Sequence, residues 1–188
     1  MSRARVLVPL GPGFEELEAI AVIDVLRRAG CHVVTASVGA ANPIVGRNRI
    51  RVMADLDIED ALVEWGESWD LVVLPGGLGG VAAIEAHEGL STLLRERLAA
   101  GGLTAAICAA PRALKAAGLP RSTALTGHPA CRADLEDYDQ YRTDAVVVDG
   151  HVITSRGPGT ALAFGLACVE ALCGPGRTAE IQEQIVAR

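Results

Sequence analysis

The chain has 188 residues, half of them apolar but only 3% aromatic, and a formal net charge of −6. That length suits one full-sized core, so a single domain spanning residues 1–188 is expected, with an interior of Val, Ile, Leu and Ala. The acidic balance, with no arginine-rich block to offset it, excludes general attraction to nucleic acid or to an anionic membrane.

In chain order, Arg5 to Leu10 (RVLVPL) reads as a buried strand, followed by a glycine turn and an amphipathic helix from Phe14 to Ala29. Leu17, Ile20, Ala21, Val25 and Leu26 are expected to form its buried face, and Gly30 to stop it. Cys31 to Val38 is a second strand, completing a βαβ unit with a right-handed crossover. Asn42 to Val52 suggests a peripheral hairpin, and Ile58 to Trp65 a short helix. Asp70 to Leu74 is the next strand, ending in the glycine turn at Gly76 and Gly77, and Leu90 to Ala99 is a helix with a charged outer face. Leu103 to Ile107 is a strand that gives way at Cys108 to a helix over Pro111 to Ala117. A short strand at Ala124 and Leu125 runs into GHPAC. Asp149 and Gly150 mark a hairpin between Ala145–Val148 and His151–Thr154. A long apolar helix over Pro158 to Cys173 and a surface helix over Ala179 to Val186 finish the chain. The alternation defines an α/β fold, a mostly parallel sheet with helices on both faces.

Five cysteines with no CxxC pair give no support for a zinc knuckle or a dithiol motif. Met1 to Arg5 leads straight into the first strand with no signal-like segment, and no apolar run reaches membrane-spanning length without a charge or a breaker. A reduced, cytoplasmic setting is the default expectation, with free thiols.

In parallel α/β sheets, ligands bind beyond the carboxyl ends of the strands. Four segments fall there: GPGFEELE, the glycine pair after DLVVL, Cys108, and GHPAC around His128. A cysteine in an alanine-rich apolar run is ordinarily a small buried hydrophobe. Its place at a strand-to-helix junction argues for reactivity, because unpaired backbone N–H groups gather there and favour a thiolate. Glu15 and Glu16 read as compensation of the helix dipole. Glu18, a turn further on, either does the same or points back toward Cys108, where a carboxyl and a thiol would couple their ionisations. His128, held extended by Pro129, is either a proton carrier or a loop histidine. The N–H groups of Gly76, Gly77 and Ala109 form a candidate oxyanion pocket. His32, His87 and His151 lie elsewhere and show no ligand spacing, so neither a metal nor an organic cofactor is expected.

The motifs GFEELEA (Gly13–Ala19), VLPGG (Val73–Gly77), AAICAAP (Ala105–Pro111), GHP (Gly127–Pro129) and TSRGPGTALAF (Thr154–Phe164) together resemble the ThiJ/PfpI superfamily, in the branch of the Parkinson-disease protein deglycase. The resemblance implies a flavodoxin-like three-layer sandwich, a homodimer with Asp24, Arg27 and Arg28 near its contact, and cofactor-free glyoxalase or deglycase chemistry on small dicarbonyls. It further implies Cys108 as the nucleophile and oxidation-sensitive thiol, Glu18 as its protonated partner, His128 as the neighbouring histidine, and Gly77 and Ala109 as backbone donors. A redox-sensing, chaperone-like role for the same cysteine is the alternative. Ala109 stands where intracellular peptidases of the superfamily carry a histidine, which argues against peptidase activity. Asn48, flanked by Arg47 and Arg49, occupies the place of a pocket arginine in the human relative.

Overall fold

The computed structural model describes residues 3–39, 42–66 and 68–187, so Met1 and Ser2, at the head of the segment expected to carry no leader, lie outside the described residues. Strand β1 (Arg5–Leu10) leads through a glycine turn into α1 (Glu16–Arg28) and back into β2 (His32–Ser37). A two-stranded antiparallel arm, β3 (Ile44–Val45) and β4 (Arg51–Val52), precedes β5 (Leu56–Asp57) and α2 (Ile58–Trp65). The sequence then runs through β6 (Leu71–Leu74), α3 (Leu78–Ala86), α4 (Glu88–Ala99), β7 (Thr104–Ile107) and α5 (Pro111–Ala116). A small parallel pair, β8 (Ala124–Leu125) and β9 (Gln140–Tyr141), flanks a short 3-10 segment at Pro129–Leu135. The hairpin β10 (Val146–Asp149) and β11 (Val152–Ser155) leads to α6 (Ala161–Gln184).

The central sheet has the order β10-β11-β7-β6-β1-β2-β5. Its neighbours are all parallel except β10, which the tight turn at Gly150 sends back against β11. Alternation along the strands divides the interior into two layers. Val6, Val8, Leu10, Leu71, Val73, Ala105 and Ile107 face α1 and α6, whereas Leu7, Val72, Leu74 and Ala106 face α2 to α5. The result is the flavodoxin-like α/β sandwich, with the antiparallel arm at its edge. The chain order reverses between β1 and β6, so the carboxyl ends of those two strands open the crevice where such sheets place their sites.

The structure corrects or completes the pattern reading in three places. Leu17 and Ile20 do not lie on the buried face of α1: they are 58% and 45% exposed, and Ala19, Val22, Ile23, Val25 and Leu26 are buried instead. The helix is rolled so that Glu16 and Glu18 are also turned inward, which hydrophobic periodicity alone could not reveal. The stretch between the glycine turn and Leu90, which the pattern leaves unassigned, is α3, whose Gly79 and Gly80 are there for contact. A methyl on Gly79 would stand 2.7 Å from the Pro12 carbonyl oxygen, and one on Gly80 would stand 2.9 Å from Phe14 Cα. β8 lies outside the central sheet and pairs with β9, a strand the pattern gave no sign of.

The segment Pro158–Gln184 is long and apolar enough, by length and composition, to cross a membrane. Gly174, non-helical at φ 81°, and Pro175 break it, and its first half packs on α1. At that contact a methyl on Gly165 would meet Val25 Cγ2 at 2.6 Å and Val22 Cα at 3.2 Å. An alanine in place of a helical glycine ordinarily adds about 1 kcal/mol of stability. Here the clash with a β-branched side chain and a helix backbone reverses the sign. Gly165→Ala is expected to lower unfolding free energy by about 1–2 kcal/mol in urea titration, and an unchanged or higher midpoint would contradict this packing.

Candidate active site

The site is assembled from three chain turns at the carboxyl end of the sheet. Cys108 follows β7 directly and adopts φ 67°, a left-handed conformation that is strained for a side chain with a Cβ. Three backbone hydrogen bonds hold it there. Its N–H donates to the Ser155 carbonyl at 2.9 Å, the Ala110 N–H closes the turn onto Ile107 at 3.0 Å, and its own carbonyl accepts from His128 N–H at 2.9 Å. The sulfur is therefore raised from the strand end and aimed across the rim while remaining only 6% exposed.

Glu18 comes to meet it from α1. Glu15 caps that helix, its Oε2 accepting from the Glu18 N–H at 2.8 Å. The Glu18 side chain is fully buried; its Oε2 accepts from the Gly76 N–H at 2.8 Å, while Oε1 is sealed from solvent with no such partner. The group that the carboxyl faces is the Cys108 thiol. Gly76 makes this possible, since a methyl there would stand 2.5 Å from Glu18 Oε2 and 2.6 Å from Cys108 Cβ. Gly77, at φ 87°, is pressed in the same way against the backbone of Gly13, Phe14 and Glu15. The N–H groups of Gly77 and Ala109 both favour the charged form of the Cys108 sulfur. The Gly76 N–H does not join them, because it is held by Glu18.

Burial pushes the Glu18 carboxyl up to about 7, reinforced by the Glu15 carboxylate and opposed by the thiol, the Gly76 N–H and the Arg47 guanidinium. Burial likewise pushes the Cys108 thiol up to about 12, reinforced by a charged Glu18 and opposed by the Gly77 and Ala109 N–H groups. The Gly77 and Ala109 donors pull toward the thiolate, but burial, the larger effect, and the charge of Glu18 together outweigh them. Between these two values the pair shares one proton. With that proton on the carboxyl, the charge opposing the thiolate disappears.

His128 is half-buried at the head of the 3-10 segment, where its Nδ1 accepts from the Ala130 N–H at 3.2 Å. A neutral ring then carries its hydrogen on Nε2. The ring lines a shallow cleft of about 290 Å³ with Pro129, Arg156 and the Gly157–Thr160 turn, and it makes no hydrogen bond to Cys108. The tie between the two residues is the backbone bond alone. Asn48 is turned away from the pair, its Nδ2 donating to Glu16 Oε2 at 3.0 Å. Of the two arginines beside it, only the charge of Arg47 acts on Glu18.

Glu16 is more than a dipole partner. Its Oε1 accepts from the Asn48 N–H at 2.7 Å and the Ile50 N–H at 3.2 Å, fastening the β3–β4 arm to α1. Although burial pushes its pKa up, these backbone donors and its own outweigh that, and the carboxylate lies below its ordinary range. Sequence offered one cue to this clamp, Gly46, where a side chain would collide with the Glu16 carboxylate. His32 opens β2 and meets Trp65, and His87 caps α4 and contacts Glu59 at 3.1 Å. Neither these nor His151 is among the groups acting on the thiol.

A cysteine on a strained strand-to-helix elbow, with a buried acid across the crevice of a flavodoxin-like sheet, defines a class of α/β proteins built around one sulfur. Residues 4–171 match the DJ-1/PfpI family, and the chain belongs to it. It is 39% identical over 181 residues to dj-1beta of Drosophila melanogaster, covering 96% of this chain and 95% of that one. The crystal structure of that fly protein superposes with a TM-score of 0.93 at 37% identity, over the whole of both chains. DJ-1 homolog B of Arabidopsis thaliana is 40% identical over 171 residues, 90% of this chain but only 38% of the longer plant protein. A Caenorhabditis elegans relative named glutathione-independent glyoxalase DJR-1.2 is 34% identical over 164 residues, 87% of this chain and 86% of its own length.

A shared proton has a measurable consequence. Below pH 7 the pair is neutral with both protons bound, and above it the pair carries one negative charge available to sulfur. Alkylation of Cys108 by iodoacetamide, followed by peptide mass, should rise through a midpoint at about pH 7. In Glu18→Gln that inflection should vanish. The same midpoint in both proteins would mean that the carboxyl and thiol titrate independently.

Proposed function

We propose that the protein is a cofactor-independent glyoxalase, converting methylglyoxal or glyoxal to the hydroxy acid through a hemithioacetal on Cys108. The observation that carries the reading is the sealed Glu18 carboxyl facing the sulfur, with Gly77 and Ala109 N–H groups on the same atom. The name of the nematode relative supports the same chemistry.

Cys108 Sγ adds to the aldehyde carbon, and the oxygen that becomes an alkoxide is met by the Gly77 and Ala109 N–H groups and then protonated from Glu18. The resulting carboxylate removes the hydrogen on that carbon, giving an enediolate, and returns it to the neighbouring carbon, while the hydroxyl proton on the first oxygen passes to the second; the first carbon becomes the thioester carbonyl and the second a carbinol. Water cleaves the thioester, restoring the thiol and releasing lactate from methylglyoxal. The sum is one dicarbonyl plus one water, with no external oxidant or reductant. A carboxyl held protonated up to about 7 suits this work, since it must both give and take a proton near neutrality. Arg47, whose charge acts on Glu18, would orient the second carbonyl oxygen, and His128 would relay protons to the cleft. Protein or nucleotide deglycase activity would be the same reaction drawing down a reversible adduct.

The same groups support a second reading. A sulfinic acid on Cys108 would be held by the Glu18 proton and the two N–H donors, making the thiol a peroxide sensor with a chaperone role. Ala109 leaves the thiol without an adjacent base and keeps peptidase activity off both readings.

We further infer a homodimer. Leu17 and Ile20 of α1 and Val45, Ile50 and Met53 of the neighbouring arm are exposed apolar side chains on two elements tied together by Glu16. A second copy covering them would bring Asp24, Arg27 and Arg28 to its edge. Arg28 pairs with Asp24 at 2.8 Å and Arg27 with Asp55 at 2.7 Å within this chain.

Purified reduced protein should form lactate from methylglyoxal. Cys108→Ser should lose at least about 10³-fold in kcat/KM, Glu18→Gln about 10²–10⁴-fold, and His128→Ala no more than about 10-fold. Absence of lactate, with sulfinic acid accumulating on Cys108 in peroxide, would replace the first reading with the second. For the dimer, sedimentation should show two copies for the wild type and one for Leu17→Arg; a monomeric wild type would overturn it.

A further inference from the structure

Cys31 and Cys173 are 142 positions apart in sequence, yet their sulfurs approach to 3.9 Å. Cys31 closes the corner between α1 and β2, its N–H donating to the Leu26 carbonyl at 3.1 Å. Cys173 is the residue before Gly174, where α6 breaks. The corner and the helix are already fastened side by side, because the Arg177 guanidinium donates to the carbonyls of Arg28 at 2.7 Å and Ala29 at 3.3 Å. Cys31 is buried, whereas Cys173 is exposed. Both lie near the amino-terminal end of β2, across the sheet from the rim that holds Cys108.

We propose that Cys31 and Cys173 form a reversible disulfide in the presence of a peroxide, a second redox site that staples α6 to the α1–β2 corner. Hydrogen peroxide transfers one oxygen to the exposed Cys173, giving a sulfenic acid and water. Cys31 Sγ then attacks that sulfur; the S–O bond breaks, and the hydroxide leaves with the Cys31 proton as a second water. Two thiols are oxidised by two electrons and one peroxide is reduced to two waters. The sulfurs must close from 3.9 Å to about 2.05 Å. Side-chain rotation supplies most of this, and the non-helical Gly174 beside Cys173 lets the helix end follow.

The environment sets the order of events. Burial and the neighbouring thiol push Cys31 up to about 12, so it is a poor target for oxidants by itself and acts only on a sulfur already activated beside it. Cys168, fully buried on the same helix, is pushed up by burial as well and has no exposed partner. The closed loop is long, so the constraint acts strongly on the unfolded chain.

Full-length protein treated with stoichiometric hydrogen peroxide should lose two hydrogens in mass and yield one peptide linking Cys31 to Cys173 in a non-reducing map. Dithiothreitol should reverse both. Its melting temperature should rise on the order of 10 °C over the reduced form. The link should persist in Cys108→Ser, which separates this site from the proposed glyoxalase reaction. It should vanish in Cys173→Ser, a substitution at an exposed position whose melting temperature should then ignore peroxide. Sulfinic acid on Cys173 beside a free Cys31, a Cys31–Cys168 link, or Cys173–Cys173 links between molecules would each overturn the proposal. A Cys31–Cys173 link that leaves the melting temperature unchanged would overturn the staple.

Discussion

Gly76 lies between Glu18 Oε2 and Cys108 Cβ with no room for a methyl, and the site depends on that contact. Because the turn after β6 presents a residue without a side chain, the start of α1 and the elbow after β7 can close on it from opposite sides. Gly77 extends the contact by lying against Gly13, Phe14 and Glu15, and Gly79 and Gly80 extend it again where α3 crosses the β1–α1 turn. Four glycines in five positions thus form a main-chain surface against which three chain segments pack with no room for a side chain between them. The site is rigid because its walls are main chain, which has few alternatives once strands and helices are fixed.

That rigidity sustains two unfavourable features. A non-glycine residue at positive φ and a carboxyl without solvent each cost on the order of 1–3 kcal/mol in isolation. Gly76 N–H offsets part of the second, and three backbone hydrogen bonds hold the first. Neither feature helps the fold, since a glycine in place of Cys108 would sit there with less strain and a glutamine in place of Glu18 would bury no ionisable group. Their coincidence on facing segments is what a proton-sharing acid and sulfur require, and packing elsewhere, chiefly α1 on α6, has to absorb the cost.

Much of this was legible in the sequence where a residue's role is local. β1, β2, α2 and the elbow at Cys108 announce themselves through apolar runs and turn residues, and the ends of the parallel strands locate the rim. The missed features depend on a partner distant in the chain. Leu17 and Ile20 look like a core stripe because hydrophobic spacing cannot tell a face that meets the sheet from one that meets solvent. α3 was hidden by Gly79 and Gly80, poor helix formers whose reason is their contact with Pro12 and Phe14. Glu16 and Glu18 are two positions apart and both turn inward, one to the β3–β4 arm and the other to the thiol. Only the placement of residues 46–50 and of Gly76 assigns the two roles.

The five cysteines show how far environment, rather than residue type, decides the chemistry of sulfur. Burial raises the pKa of Cys31, Cys108, Cys131 and Cys168 alike, so low exposure alone does not distinguish them. What sets Cys108 apart is a proton donor facing it and two N–H groups on the sulfur: the opposing charge can be neutralised in place without moving an atom heavier than hydrogen. Cys31 has no such acid. Its neighbour at 3.9 Å is another sulfur, that of the Cys173 thiol. One fold therefore gives its buried sulfurs two different surroundings: Cys108 faces an acid at the carboxyl end of the sheet, and Cys31 faces a second sulfur at the other.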